Sequence, residues 1–157
     1  MSITVRSTAF DPDRPIPGRH TEDGEDLSPE LSWTGLPAGA KELAFVVDDP
    51  DAPTDEPWVH WVIYRIPADI IALAEGIPYA DVLVAPAGAL QGLTTWGTVG
   101  YRGPAPPPGH GTHHYHFTLY ALDAALELEP GLDKATLLAA IEGHVLGRGE
   151  LIGTYER

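Results

Sequence analysis

The most apolar stretch of the chain, PWVHWVIYRIP, places an aromatic or β-branched residue at nearly every position from Trp58 to Ile66, with a proline at each end. Continuous rather than alternating hydrophobicity over so short a run predicts a strand buried on both faces. KELAFVVDDPDAP carries a shorter run, Leu43 to Val47, that stops at Asp48 and then at two X-Pro steps unable to continue a central strand. HHYHFTLYALD predicts a third strand, in which His113, Tyr115, Phe117 and Leu119 share one face and His114, His116, Thr118 and Tyr120 share the other. A single helix is expected, capped by Asp133, carrying Leu137, Leu138, Ile141, Val145 and Leu146 at helical spacing, and stopped by Gly147. ELIGTYER reads as a last short strand, and residues 11–30, DPDRPIPGRHTEDGEDLSPE, read as a long surface loop rich in Pro, Gly and acid. Strand-rich order without β–α alternation predicts a mainly β protein, a sandwich or a barrel, in one domain over residues 1–157.

Charge and composition narrow the function classes. Nine Lys and Arg stand against 23 Asp and Glu, a formal charge of −14, which opposes nucleic acid and anionic membrane surfaces as partners. The chain has no cysteine, so thiol nucleophiles, disulfides and Cys-based zinc sites are excluded. The N-terminal residues MSITVRSTAF show no signal-like apolar run and no segment reaches the length of a membrane span, so the expectation is a cytoplasmic protein without membrane insertion.

Four histidines fall within seven positions, His110, His113, His114 and His116, directly after three prolines. A metal site on a strand uses alternate residues of one face, which leaves His114 and His116 without a third ligand, so no metal or cofactor is expected. No nucleophile or phosphate-loop motif occurs, and Ser28 and Ser32 read as turn or cap serines, so no catalytic residue is assigned. The remaining chemistry is an anion pocket of a few polar groups in an apolar wall. Asp49 ends one strand on the Leu43, Phe45 and Val47 face; His60 shares a face with Trp58, Val62 and Tyr64; His113 shares one with Tyr115. Buried together, the carboxylate accepts from one imidazole, whose other nitrogen faces the cavity and donates to a phosphate. Taken singly, each histidine also fits a core residue satisfied by backbone.

DPDAP (Asp49 to Pro53), WVHW and the strand ending in IP, then GPAPPPGHGTHHYHFTLYALD from Gly103, resemble the two signature regions of the phosphatidylethanolamine-binding protein family. SPELSWTGLPAG and LLAAIEGHVLGRGELIGTYER are similar to its prokaryotic branch, the Raf kinase inhibitor-like proteins. The resemblance implies a Greek-key β-sandwich with a few peripheral helices and a small cavity for anions and phosphorylated head groups. By motif position it implies a ligand-binding set of Asp49, Ala52, Pro53, Trp58, His60, Pro106, Pro107, His113 and Tyr115. The chain departs from the family at His114, where Arg is usual; at Thr94 and Thr95, in place of an acidic-amide step; and at Arg102, in place of a Gly and expected to be solvated. The function this implies is a soluble, non-catalytic binding protein for a small anionic or phosphorylated ligand. Inhibition of a kinase or protease partner through loops 11–30 and 102–112 is an alternative, a metal-dependent hydrolase a third, and a homodimer is expected from the branch.

Overall fold

In the computed structural model, which describes residues 3–157, the long apolar runs form the centre of a five-stranded sheet. The strands are β1 (Thr4–Arg6), β2 (Leu31–Thr34), β3 (Glu42–Asp49), β4 (Trp58–Pro67), β5 (Ala72–Leu73), β6 (Leu90–Gln91), β7 (His113–Leu122) and β8 (Val145–Tyr155). The large sheet runs β6-β4-β3-β7-β8 and a small one runs β1-β2-β5, every pair antiparallel. The fold is thus the expected two-sheet, mainly β architecture. The peripheral helices come down to α1 (Lys134–Ile141) and one 3-10 turn, Gly18–His20.

Burial on both faces explains why β4 reads as continuous hydrophobicity. One apolar cluster lies between the sheets, where Val5, Leu31 and Trp33 meet Phe45, Val47, Trp61, Ile63, Phe117 and Leu119. A second covers the outer face of the large sheet, where Ala44, Val46, Val59, Val62 and Tyr64 pack under Leu137 and Ile141 of α1. At the edge, β8 is covered by the chain before it: Asp13 N–H donates to the Ile152 carbonyl at 2.7 Å and Ile16 N–H to the Thr154 carbonyl at 2.7 Å. That pairing closes an edge that would otherwise expose unpaired backbone groups.

Three expectations are corrected. α1 begins where expected, with Asp133 accepting from the Thr136 N–H at 2.8 Å, but it ends at Ile141. Gly143, at φ +85°, turns the chain, and Val145 and Leu146 open β8 instead. The apolar spacing runs across that turn by coincidence of position only, since both residues start an edge strand and are substantially exposed, Val145 at 41% and Leu146 at 42%. Residues 11–30 are irregular but not wholly superficial, since Ile16, His20, Thr21 and Ser28 are buried. Ser28 accepts from the Ile77 N–H, while Ser32 lies inside β2 rather than in a turn.

Strand parity fails twice in β4, at β-bulges. Val47 pairs with Trp61 but Asp48 pairs with Val59, so His60 is the extra residue. Leu43 pairs with Ile66 and Phe45 with Ile63, and the second excess is absorbed where Arg65 adopts φ 56°. A bulge sets two residues against one and re-aims the side chains around it. Among the described residues no helix is long and apolar enough to cross a membrane.

Candidate functional site

The bulge at His60 has a direct consequence. Unbroken alternation would put His60 with Val62 and Tyr64, toward α1. Instead Val59 and Val62 stay on that face, and the His60 ring meets Tyr115 edge-on at 5.2 Å between centroids and Trp96 at 5.1 Å. The extra residue turns the imidazole toward β7, where His113 and Tyr115 stand.

Asp49 closes β3 at the same end. Its Oδ1 accepts from the Asp51 N–H at 2.8 Å, which folds the DPDAP loop back, and its Oδ2 accepts from His113 Nδ1–H at 2.6 Å. Both side chains are almost wholly buried, His113 2% and Asp49 4% exposed, so neither could remain unpaired there. A second clamp lies outside the first: Asp51 accepts from the backbone N–H of His114 at 2.7 Å and from its ring at 2.8 Å. Partial burial works against the charged Asp51 carboxylate, but these bonds outweigh it and hold its pKa below the usual range. His114, which stands in place of the usual Arg, therefore ties the pocket loop to β7 from the exposed side.

Neither imidazole in the cavity has the free N–H expected of it. His113 Nε2 lies 2.6 Å from Nδ1 of His110, an exposed loop residue that the sequence reading left outside the site. His60 Nδ1 lies 2.6 Å from the Arg102 carbonyl, which can only accept, so the ring proton sits there. Burial lowers the pKa of His60, against the carbonyl and the Asp49 charge that favour its cation. Burial and the nearby Asp49 push the Tyr115 hydroxyl far upward, so it keeps its proton. Two donors have no partner among the described residues: Tyr115 O–H and Trp58 Nε1–H, both shielded from solvent.

A roof comes from residues 20–26 packed on 101–104. Tyr101 O–H donates to the His20 carbonyl at 2.7 Å, Gly103 N–H to Asp26 Oδ1 at 2.7 Å and Glu22 N–H to the Pro104 carbonyl at 3.1 Å. Arg102 is not solvated as expected: its guanidinium lies 4.5 Å from the Trp96 ring centroid and bonds Glu22 at 3.0 Å. Thr95 secures this side by accepting from the Val59 N–H at 2.7 Å, which sets Trp96 against Trp58 edge-on at 5.4 Å.

Together these elements enclose a cavity of about 340 Å³. Asp49, Ala52 and Pro53 of the β3–β4 loop, Trp58 and His60 of β4, Pro106 and Pro107, and His113 and Tyr115 of β7 all line it. Sequence reasoning missed Glu22, Thr54, Trp96, Ala105 and Arg157. Arg157 bonds Asp23 at 2.9 Å and reaches the Pro106 carbonyl at 3.4 Å, but nothing in the sequence pattern distinguishes it from a terminal solvated cation. The four-histidine cluster is divided as strand alternation predicts for His114 and His116, the latter pairing with Glu150 at 3.1 Å. Among the described residues no three His, Asp or Glu side chains are grouped to hold a metal ion. A larger groove of about 920 Å³ beside α1 shares Thr54 and Trp58 with the cavity but has no imidazole in its wall.

A profile of the phosphatidylethanolamine-binding proteins matches residues 6–156. The chain belongs to this family. A family relative from Methanothermobacter thermautotrophicus, a UPF0098 protein, is 52% identical over 155 residues, covering 99% of each chain. The crystal structure of Escherichia coli YbcL, named a new member of the mammalian family, superposes with a TM-score of 0.92 at 30% identity, covering 100% of this chain and 99% of that one. Carboxypeptidase Y inhibitor, solved with its cognate proteinase, shares the fold alone, with a TM-score of 0.55 at 16% identity over 98% of this chain and 82% of that one. Within this phosphatidylethanolamine-binding protein fold, the β4 bulge and the DPDAP turn are the features that bring the two signature regions to one cavity.

Burial of neutral His60 predicts acid sensitivity. The unfolded ring takes a proton near its ordinary pKa of 6.5, and the folded one resists it to lower pH, so between these values the unfolded state binds more protons. His60 lets stability stand in full above about pH 6.5 and lose ground as pH falls through that value toward the lowered folded pKa. Denaturant unfolding across this range is expected to show a smaller acid loss in His60→Asn, whose amide N–H can still serve the Arg102 carbonyl.

Proposed function

We propose that the protein is a non-catalytic binding protein whose cavity takes a small oxyanion or the oxyanionic, phosphorylated end of a larger ligand. The observation that carries this reading is the pair of buried donors without partners, Trp58 Nε1–H and Tyr115 O–H, in the wall of one cavity. Buried polar groups are satisfied in folded proteins, and two donors left without a partner on residues of a proline and aromatic wall call for an acceptor brought from outside. Tyr115 stays protonated, so it donates at any physiological pH. Arg157 and Arg102 are already engaged by Asp23 and Glu22, and the whole chain carries −14, so binding rests on fitted hydrogen bonds rather than on attraction at a distance, and affinity is modest.

Titration with inorganic phosphate followed by NMR tests the reading. Shifts are expected to centre on the Trp58 indole N–H and on the rings of His60 and His113. Tyr115→Phe, which keeps the packing and removes one donor, is expected to weaken binding about tenfold, roughly 1.4 kcal/mol. Shifts confined to other regions, or unchanged affinity in the variant, would count against the assignment.

A further inference from the structure

We infer that this cavity takes up its oxyanion together with one proton, shared between the ligand and His60 Nε2. The inference rests on the oxyanion reading above and refines its ligand class. His60 spends its N–H on the Arg102 carbonyl at 2.6 Å, so the neutral ring carries a lone pair on Nε2. Among the described residues the one hydrogen bond of the His60 ring is this Nδ1 contact, although the Gly103 backbone also lies near enough to favour a protonated ring, and His60 lines the cavity with 3% of its surface exposed. His113 is spent as well, Nδ1 on Asp49 and Nε2 on His110. Among the buried aromatic and imidazole groups of the wall, the atoms left over are therefore two donors, on Trp58 and Tyr115, and one acceptor, on His60.

A fully deprotonated phosphate monoester satisfies the two donors but sets an oxygen lone pair against a nitrogen lone pair. One proton between them turns that contact into a charge-assisted hydrogen bond. It can arrive as the hydroxyl of the singly ionised ligand, P–O–H donating to Nε2, or on His60 itself; the complex has the same composition in both cases. Burial opposes a cation on His60 and keeps the empty ring neutral, while the charges around it favour sharing a proton: Asp49 from β3 and Glu22 from the roof raise its proton affinity, and the cations Arg102 and Arg157 are held by Glu22 and Asp23. His113 and Tyr115 face it from β7 and Trp96 from the loop after β6. The favoured ligands are weak oxyacids that retain or readily regain a proton near neutrality, phosphate monoesters before sulfate esters.

Titration calorimetry with methyl phosphate at about pH 8 tests this, because a monoester with a second pKa of about 6 is then a dianion. In two buffers of different ionisation enthalpy, about one proton is expected to enter per ligand bound, and affinity is expected to fall about tenfold per pH unit above that pH. With histidine ring nitrogens labelled, the His60 Nε2 resonance is expected to start at the position of a bare ring nitrogen and move toward a protonated one on saturation. Binding without proton uptake, with that resonance unmoved, overturns the proton coupling and leaves the oxyanion reading standing. No binding at any pH tried removes both.

Discussion

Asp49→Ala is expected to lower stability by about 3 kcal/mol in equilibrium urea unfolding at neutral pH, more than a hundredfold in the folding constant. Both carboxylate oxygens are in use, one on the Asp51 N–H at 2.8 Å and one on His113 Nδ1–H at 2.6 Å. Truncation removes the turn that folds the DPDAP loop back and strands a ring N–H on a side chain only 2% exposed. The penalty of the abandoned donor, more than the loss of the bond, sets the size. Asp49→Asn keeps the volume and one acceptor and is expected to lose less. A cost below about 1 kcal/mol for the alanine variant would mean that His113 finds another partner and that the pair does not organise the pocket.

Gly103→Ala is expected to cost about as much, near 3 kcal/mol, for a steric reason. A Cβ at position 103 would lie 2.1 Å from the His20 carbonyl oxygen and 2.6 Å from Asp26 Oδ1. The nearer atom is backbone and cannot rotate away, so the 20–26 segment would have to lift. That movement also breaks the Gly103 N–H bond to Asp26 and carries Glu22 away from the cavity. Gly18→Ala is the informative contrast, because nothing lies within 4 Å of its added Cβ and its backbone is not left-handed. It is expected to be neutral or to stabilise by about 0.5 kcal/mol. Thermal unfolding of the two variants side by side measures the difference, and equal melting temperatures would mean that the roof yields freely.

Much of the fold was legible because burial on both faces leaves an unusual mark: six buried residues in a row, Val59 to Tyr64, nearly all aromatic or β-branched, read as a central strand. The β7 alternation was equally legible, and it separates His113 and Tyr115 from His114 and His116 as the structure does. The α1 cap was visible in Asp133, since its bond is made within four residues. The end of α1 was not, because Ile141, Val145 and Leu146 keep an apolar spacing that fits a helix until the Gly143 turn is known.

At the site, local chemistry and long-range packing divide differently. The residue types around the cavity follow from the sequence and its resemblance: a carboxylate at a strand end, imidazoles on strands that pair with it or near it, prolines and aromatics for the wall. These are properties of short segments, and strand periodicity with X-Pro stops expresses them directly. Only the tertiary structure decided which way His60 points, because a bulge is a mismatch in the pairing of two strands, Val47 with Trp61 and Asp48 with Val59, and neither strand carries it alone. Only packing brought Glu22 over the cavity and Arg157 beside Pro106, through contacts that span 80 and 51 residues, and only the path of the loop before β7 brought His110 onto His113, three residues away. Those contacts also settle which imidazole nitrogens are free, since a histidine's hydrogen-bonding character is set by whatever group occupies its other nitrogen.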